Sequence, residues 1–317
     1  MIKASPGKVI LLQFTLFSLS SDCLNERVDI YDGNITTPDT KLATFCGSDV
    51  PPAIRSLYSN VTLVWTKQQV LSGRGFQVSY TSVTPLDPIR ACGQGSLIQT
   101  PWLASLVNGN VTCDATLIGD RWLITAAHCT QNASLQVQGW QALLGQYPVR
   151  GVVRFLHKFA VRRIIAHGQF STSLPQDYDL ALVELARRVP ISDIASPACV
   201  PSDSPSFPSS TTTCYLTSYP AFTSGVEIRI VPQRTCASSR NYGSSVNVRM
   251  LCADVSGHPS ACWGNKGGAI TCLNTDGRLY VVGLASWGRQ CSQPGTPGVF
   301  TFISKYSTWI SQQQRQV

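Results

Sequence analysis

Ala261-Cys262-Trp263-Gly264-Asn265-Lys266-Gly267-Gly268-Ala269-Ile270 sets a cysteine, three glycines and one lysine within ten residues. Outward from it, other short segments of distinctive composition follow one another. Upstream, Trp122-Leu123-Ile124-Thr125-Ala126-Ala127-His128-Cys129 puts a histidine beside a cysteine, and Asp177-Tyr178-Asp179-Leu180-Ala181-Leu182-Val183-Glu184-Leu185 supplies two acids before an apolar run. Downstream lie Gly283-Leu284-Ala285-Ser286-Trp287-Gly288 and Pro297-Gly298-Val299-Phe300. Pro101-Trp102-Leu103, Cys113-Asp114-Ala115, Pro197-Ala198-Cys199 and Met250-Leu251-Cys252 fall between or before them. Any one of these arises by chance; their number, order and spacing do not.

Composition bounds the fold class. The 317 residues predict about two domains at ~100–200 residues each. With 43% hydrophobic and 13% charged residues, a real core forms and disorder is excluded. Val, Ile, Thr, Ser, Gly and Pro recur in short runs, which predicts an all-β chain. The cysteine count is twelve, even, with no close C-x-x-C pair. That favours disulfides and an oxidising, extracellular compartment over metal sites; no metal or cofactor is expected. Asn34, Asn60, Asn110 and Asn132 each begin an N-x-S/T sequon, so glycosylation is expected there. A net charge of +8 suits anionic partners such as sulfated glycans or acidic surfaces, and equally a plain basic secreted protein. Aromatic-plus-basic signatures for nucleic acid are absent, and no run reaches the ~18–20 apolar residues of a membrane span.

Residues 1–21 admit two readings. Met1-Ile2-Lys3 and Lys8 before Val9-Ile10-Leu11-Leu12 suit a short signal peptide. The alternation from Leu12 to Leu19 suits a half-buried strand, and the strand is preferred. Residues 22–82 then run through Cys23-Leu24-Asn25-Glu26-Arg27-Val28-Asp29-Ile30-Tyr31-Asp32-Gly33, Phe45-Cys46-Gly47, Pro51-Pro52 and Ser72-Gly73-Arg74-Gly75-Phe76-Gln77-Val78-Ser79-Tyr80. This pattern resembles a CUB domain, a small extracellular β-sandwich, over about residues 3–82. On that resemblance the family's first strands and first disulfide are missing, as expected of a fragment or a truncated domain, and Cys23 pairs with Cys46. Many CUB domains hold calcium on carboxylates; Glu26 and Gln68 stand near two of those positions, and no working site is expected. The expected division is a partial CUB domain at 1–82, a linker at 83–91 with prolines at 85 and 88, and a second domain at 92–317.

The segments of that second domain together resemble the trypsin-like, chymotrypsin-fold serine proteases, over some 220 residues. The resemblance extends to CUB-containing proteases of the ovochymase and matriptase types. It implies two six-stranded antiparallel β-barrels with a cleft between them. Phe302, Ile303, Tyr306, Trp309 and Ile310 recur at helical spacing and predict an amphipathic C-terminal helix. By family match the remaining disulfides are Cys92–Cys199, Cys113–Cys129, Cys214–Cys272, Cys236–Cys252 and Cys262–Cys291.

The resemblance assigns the histidine and aspartate of a catalytic triad to His128 and Asp179, and the nucleophile's place to Lys266. Gly264 and Lys266 take the oxyanion-donor positions, and Ser260, Ser286, Trp287, Gly288 and Gly298 the specificity pocket, with an uncharged floor. A triad needs an activatable hydroxyl. A lysine of pKa ~10.4 is an ammonium with no lone pair at neutral pH, and its amine would leave a stable amide after attack. Loss of the nucleophile costs on the order of 10⁶ in turnover. Zymogen activation in the family needs an acid before the serine and a basic cleavage site. Here Asn265 replaces the acid, and no Arg or Lys occurs between Cys92 and Trp102. The expected function is therefore an inactive protease homologue acting as an extracellular protein-binding or regulatory module. An active serine endopeptidase and a heparin-like polyanion adaptor are the alternatives.

Four further expectations complete the reading. His128 is expected to be structural, bound to Asp179. Lys266 is expected to pair with Asp179 or Asp177, or to fill the cleft. Asp114-Ala115, where the family has two glycines, and Ser218-Tyr219-Pro220, where it has Gly-Trp-Gly, are departures, the first expected to alter access to the cleft. Arg154, His157, Lys158, Arg162, Arg163 and His167 form a basic stretch, read as solvated strand edges or as a polyanion site.

Overall fold

The computed structural model describes residues 1–316 except 69–74, 96–99, 132–136, 150–151, 171–175, 203–207, 221, 239, 255–265 and 289–295. The chain starts as a sandwich of seven strands: β1 (Ile2–Lys3), β2 (Val9–Ser18), β3 (Glu26–Asp32), β4 (Lys41–Phe45), β5 (Ile54–Arg55), β6 (Asn60–Lys67) and β7 (Gly75–Val83). One sheet has the order β1-β6-β3-β4 and the other β5-β2-β7. Residues 12–18 are strand, as their alternation predicts. Ile10, Leu12 and Phe14 point inward, an irregularity between Phe14 and Leu16 shifts the parity, and Phe17 again faces the core while Leu16 is exposed. Val28, Ile30, Leu42, Phe45, Ile54 and Val61 meet them from the other strands.

A short helix, α1 (Pro88–Ala91), follows, its N-terminus capped by the Asp87 carboxylate on the Ile89 N–H at 2.9 Å. Gly93 then threads into the body. Its N–H donates to the Pro197 carbonyl at 2.8 Å, and its own carbonyl accepts from Leu279 at 3.1 Å. At φ +65°, with a Cβ that would lie 2.6 Å from the Leu279 oxygen, only glycine fits.

The first closed barrel is built from β8 (Leu103–Asn108), β9 (Val111–Leu117), β10 (Trp122–Thr125), β11 (Gln141–Val149), β12 (Val152–Ala166) and β13 (Ala181–Leu185). The second comprises β14 (Cys214–Ser218), β15 (Phe222–Val231), β16 (Met250–Asp254), β17 (Ala269–Leu273), β18 (Leu279–Trp287) and β19 (Gly298–Phe302), with the short helix α2 (Gln233–Cys236) between β15 and β16. Each barrel buries one face of every strand: Leu106, Leu117, Leu123, Phe159 and Leu182 fill the first, Leu216, Ile228, Ile270, Val282 and Phe300 the second. Both are all-antiparallel, and closure removes the sheet edges.

The C-terminal helix is shorter than its spacing predicts. Phe302 ends β19, a 3-10 turn takes Ile303–Tyr306, and α3 covers Ser307–Arg315. Ile303, Tyr306 and Ile310 still pack on the first barrel's core, so the end of the second barrel clasps the first. Disulfides join Cys23–Cys46, Cys92–Cys199, Cys113–Cys129, Cys214–Cys272 and Cys236–Cys252. Cys262 and Cys291 lie outside the described residues.

Candidate active-site cleft

The 3-10 turn Ala127–Thr130 leaves β10 and is stapled to β9 by Cys113–Cys129. This turn carries His128. Its backbone N–H donates to Asp179 Oδ1 at 2.9 Å, and its Nδ1 lies 2.7 Å from Asp179 Oδ2. Asp179 is 1% exposed and is held from three sides. Besides His128, the Ser286 hydroxyl of β18 donates to Oδ2 at 2.5 Å, and the Thr301 hydroxyl of β19 donates to the Asp179 carbonyl at 2.7 Å. Tyr178 turns the chain into this position at φ +53°. A carboxylate acceptor fixes the proton on Nδ1, so Nε2 is the basic nitrogen. The pair is built as an oriented general base, and the element contacts that build it come from both barrels.

Lys266 occupies the turn before β17, with its side chain exposed. Its carbonyl accepts from the Asp114 N–H of β9 at 2.9 Å. The next residue, Gly267, has φ +78°, and a Cβ there would lie 2.2 Å from the Asp114 oxygen. The Lys266–Gly267 turn is thereby wedged between the barrels. Among the described residues its ammonium makes no ion pair, contrary to the expected bond with Asp179 or Asp177. Both carboxylates are occupied: Asp179 by His128 and Ser286, and Asp177 by Arg249 Nη2 at 2.5 Å, Arg249 Nε at 3.1 Å and Asn247 Nδ2 at 2.9 Å. The Arg249 guanidinium holds the Asp177 pKa low against its partial burial.

The Asp114 side chain is wholly buried and points across the barrel junction. Oδ2 accepts from the Ser218 hydroxyl at 2.6 Å and the Tyr219 N–H at 3.1 Å. Oδ1 has no hydrogen-bond partner among the described residues. Burial pushes the pKa up to about 7, against the lowering effect of the Ser218 and Tyr219 bonds. Two departures noted separately in the sequence, Asp114 and Ser218, are thus the two ends of one hydrogen bond. An acid and a hydroxyl at positions where the resemblance expects glycines was the available signal.

Of the other site positions, Ser286 faces Asp179, Trp287 is half-buried with its ring centroid 5.2 Å from that of Tyr242, and Gly298 opens β19. Gly288 follows β18. Ser260, Gly264 and Asn265 lie outside the described residues, as does the sequon residue Asn132. Asn34 and Asn110 are exposed; Asn60 is half-buried in β6. Glu26 is buried, accepting from the Ser20 N–H at 2.8 Å with Lys67 at 3.6 Å. Among the described residues, no three His, Cys, Asp or Glu side chains gather as a metal site would require.

The basic stretch divides along β12. Arg162 and Arg163 both bind the buried Glu184 carboxylate, at 2.9 and 2.5 Å. His157 is 3% exposed, its Nδ1 lies 3.0 Å from the Leu42 carbonyl of the sandwich, and burial pushes its pKa down to about 4. His167 stacks on Tyr178 at 4.8 Å. Only Arg154 and Lys158 project freely into solvent as the sequence reading pictured.

Comparison with known proteins matches residues 92–310 to the trypsin family and residues 1–80 to the CUB domain family. The chain is similar to transmembrane protease serine 9 of Rattus norvegicus, 32% identical over 237 residues, covering 70% of this chain and 22% of that protein. It is 34% identical over 222 residues to transmembrane protease serine 11A of Homo sapiens, covering 67% and 51%. Transmembrane protease serine 7 of Mus musculus is 35% identical over 226 residues, covering 66% and 26%. The chain therefore spans a fifth to a half of the length of these relatives. Among the described residues no helix is long and apolar enough to cross a membrane. The disulfides and the two domain families place the chain outside the cell.

Proposed function

We propose that this chain, which belongs to the trypsin-like serine protease family and carries a CUB domain, does not hydrolyse peptides and acts by binding other extracellular proteins. The observation that carries the reading is Lys266. It stands between Asn265 and Gly267-Gly268, at the position that the family resemblance gives to the nucleophile, and its carbonyl is bonded to Asp114 of the first barrel. The His128–Asp179–Ser286 arrangement is a complete general base, but an ammonium gives it no hydroxyl to deprotonate. The approach to the barrels supports the same reading. From Cys92 to Trp102 the chain has no basic residue for a processing protease, and Gly93 is already bonded into the body on both sides. A cleft with a formed base and no nucleophile retains a shaped surface for an extended peptide without turning it over.

The test uses the secreted protein and an Asn265→Asp/Lys266→Ser double variant. Both are assayed on a broad peptide library and with a serine-directed phosphonate probe. The wild type is expected to be silent in both assays. Peptide cleavage by the wild type above background, with contaminating protease excluded, establishes the active-endopeptidase alternative instead. A double variant that also stays silent indicates that restoring the acid and the hydroxyl together does not order the cleft.

A further inference from the structure

Two clefts lie where the sandwich meets the first barrel, and Arg187, just beyond the end of β13, lines both. The first, of about 760 Å³, has Tyr31 and Lys41 of the sandwich on one wall and Gln141 and Lys158 of the barrel on the other. The second, of about 590 Å³, has Asp32 and Tyr58 on one wall and Arg121 and Arg188 on the other. Asp39 lines both, as Arg187 does. Together the walls carry five basic and two acidic side chains.

These charges do not cancel among themselves. Lys41 Nζ is paired with Asp29 at 2.9 Å, and Arg188 Nε lies 3.4 Å from Asp120. Arg121, Lys158 and Arg187 make no ion pair among the described residues. Asp32 does not supply one, because it turns both oxygens to the backbone, accepting from the Leu57 N–H at 2.9 Å and the Tyr58 N–H at 3.2 Å. Arg187 is partly buried, with one guanidinium face on the Phe159 ring at 4.2 Å. Among the described residues it makes one hydrogen bond, to the Lys41 carbonyl at 3.0 Å. Burial lowers its pKa, and the charges of Asp32 and Asp39 oppose this without making up the difference. A cation taken out of water is ordinarily paired, so Arg187 is short of an anion.

The chemistry of the walls says which anion. β4 is the sheet edge at this junction, but its Lys41 carbonyl already accepts from Arg187, and its Leu42 carbonyl faces His157 at 3.0 Å. An acidic peptide that added to this edge as a strand would need those main-chain groups. The walls offer side chains instead: guanidinium and ammonium groups, the Gln141 amide, and the Tyr58 ring, which is 65% exposed. Guanidinium groups hold planar or tetrahedral oxyanions through paired N–H donors, and an exposed ring with a polar tip suits a sugar face.

We propose that the junction of the two domains binds a sulfated or carboxylated saccharide, whose oxyanions are held by Arg187 together with Lys158 in the first cleft and Arg121 in the second. Of the basic stretch along β12, only Lys158 takes part. The inference does not depend on whether the His128 cleft turns over peptides.

Isothermal titration of the intact, disulfide-bonded chain with a heparin-derived hexasaccharide tests it. Binding is expected at one equivalent, with an affinity that falls as salt is raised. Lys158→Glu and Arg121→Glu, one in each cleft, are each expected to weaken it by about tenfold or more. Arg229→Glu makes the same change of charge at an exposed position of β15, in the second barrel, and is expected to leave the affinity within about twofold. An equal loss in Arg229→Glu reduces the binding to the overall charge of the chain and overturns the proposal. So does undiminished binding in both cleft variants, which locates the saccharide elsewhere, and so does a wild type that gives no binding at low salt. A hexaglutamate peptide that binds as tightly as the hexasaccharide also overturns it, since the junction is then a site for acidic proteins.

Discussion

Asp114 is an acid with one carboxylate oxygen hydrogen-bonded and the other without a hydrogen-bond partner among the described residues. Its folded pKa is raised to about 7 from 3.8, so the native state holds a proton that the unfolded chain releases. Stability from this group is fully present below about pH 4 and is lost as pH rises towards 7, then stays level. Asp114→Asn keeps an acceptor for Ser218 and removes the titration. The variant is expected to match the wild type near pH 4 and to exceed it above about pH 8, by on the order of a few kcal/mol. Denaturant midpoints at the two pH values read this directly, and identical pH slopes for both proteins would defeat it. Lys266 presents the opposite case: an exposed cation whose surrounding carboxylates are already committed. Its substitution is a question of chemistry, and its effect on stability is expected within ±0.5 kcal/mol.

At the scale of elements, β12 shows what periodicity reveals and what it hides. Along this 15-residue strand, outward residues Arg154, Lys158 and Arg162 alternate with inward ones, as the strand reading requires. The sequence could not show that Glu184, inside the apolar run of β13, faces both Arg162 and Arg163 across the ladder. Two consequences separate these arginines from the rest of the stretch. Glu184→Ala strands two guanidiniums that are still partly solvated, so a loss on the order of 1–3 kcal/mol is expected in chemical denaturation. On a heparin column, Arg154→Ala/Lys158→Ala is expected to elute at lower salt than Arg162→Ala/Arg163→Ala; the reverse order would mean that the Glu184 pairing is broken by the glycan. The barrels themselves were legible because each strand carries its own alternation and punctuation. The Asp114–Ser218 bond and the burial of His157 were not, since each depends on segments about a hundred residues apart meeting across a junction. The shortened α3 has a local cause: Phe302 satisfies the helical spacing but is still paired to β16 through the Arg249 carbonyl and to Gly283 of β18.

At the scale of the whole molecule, the sandwich and the first barrel share an interface with its own polar lock. β4 offers two carbonyls to the barrel: Lys41 accepts from Arg187 Nη2 at 3.0 Å, and Leu42 lies 3.0 Å from His157 Nδ1. Arg187 also lies over the Phe159 ring at 4.2 Å, and Tyr147 and Leu156 of the β11–β12 hairpin join the sandwich core. A cleft of about 760 Å³ remains beside the lock, lined by Tyr31, Asp39, Lys41, Lys158 and Arg187 among others. His157 donates to the carbonyl while neutral, because burial, with the Arg187 charge as the lesser opposing influence on protonation, holds its pKa at about 4. The unfolded chain takes up a proton from about pH 6.5 downward that the native state refuses until about 4. Stability from this group is therefore present above about pH 6.5 and is lost as pH falls through that window. Asp114 acts in the opposite direction over nearly the same range, so the wild-type profile is flattened and the two are separated only by substitution. Calorimetry is expected to show the sandwich and first barrel melting together at pH 7. Arg187→Ala removes the guanidinium that bridges Lys41 and Phe159, and the sandwich is then expected to melt as a separate, earlier transition. A single unshifted transition in Arg187→Ala would mean that apolar contact through Tyr147 and Leu156 alone couples the two domains, and that the polar lock adds no cooperativity.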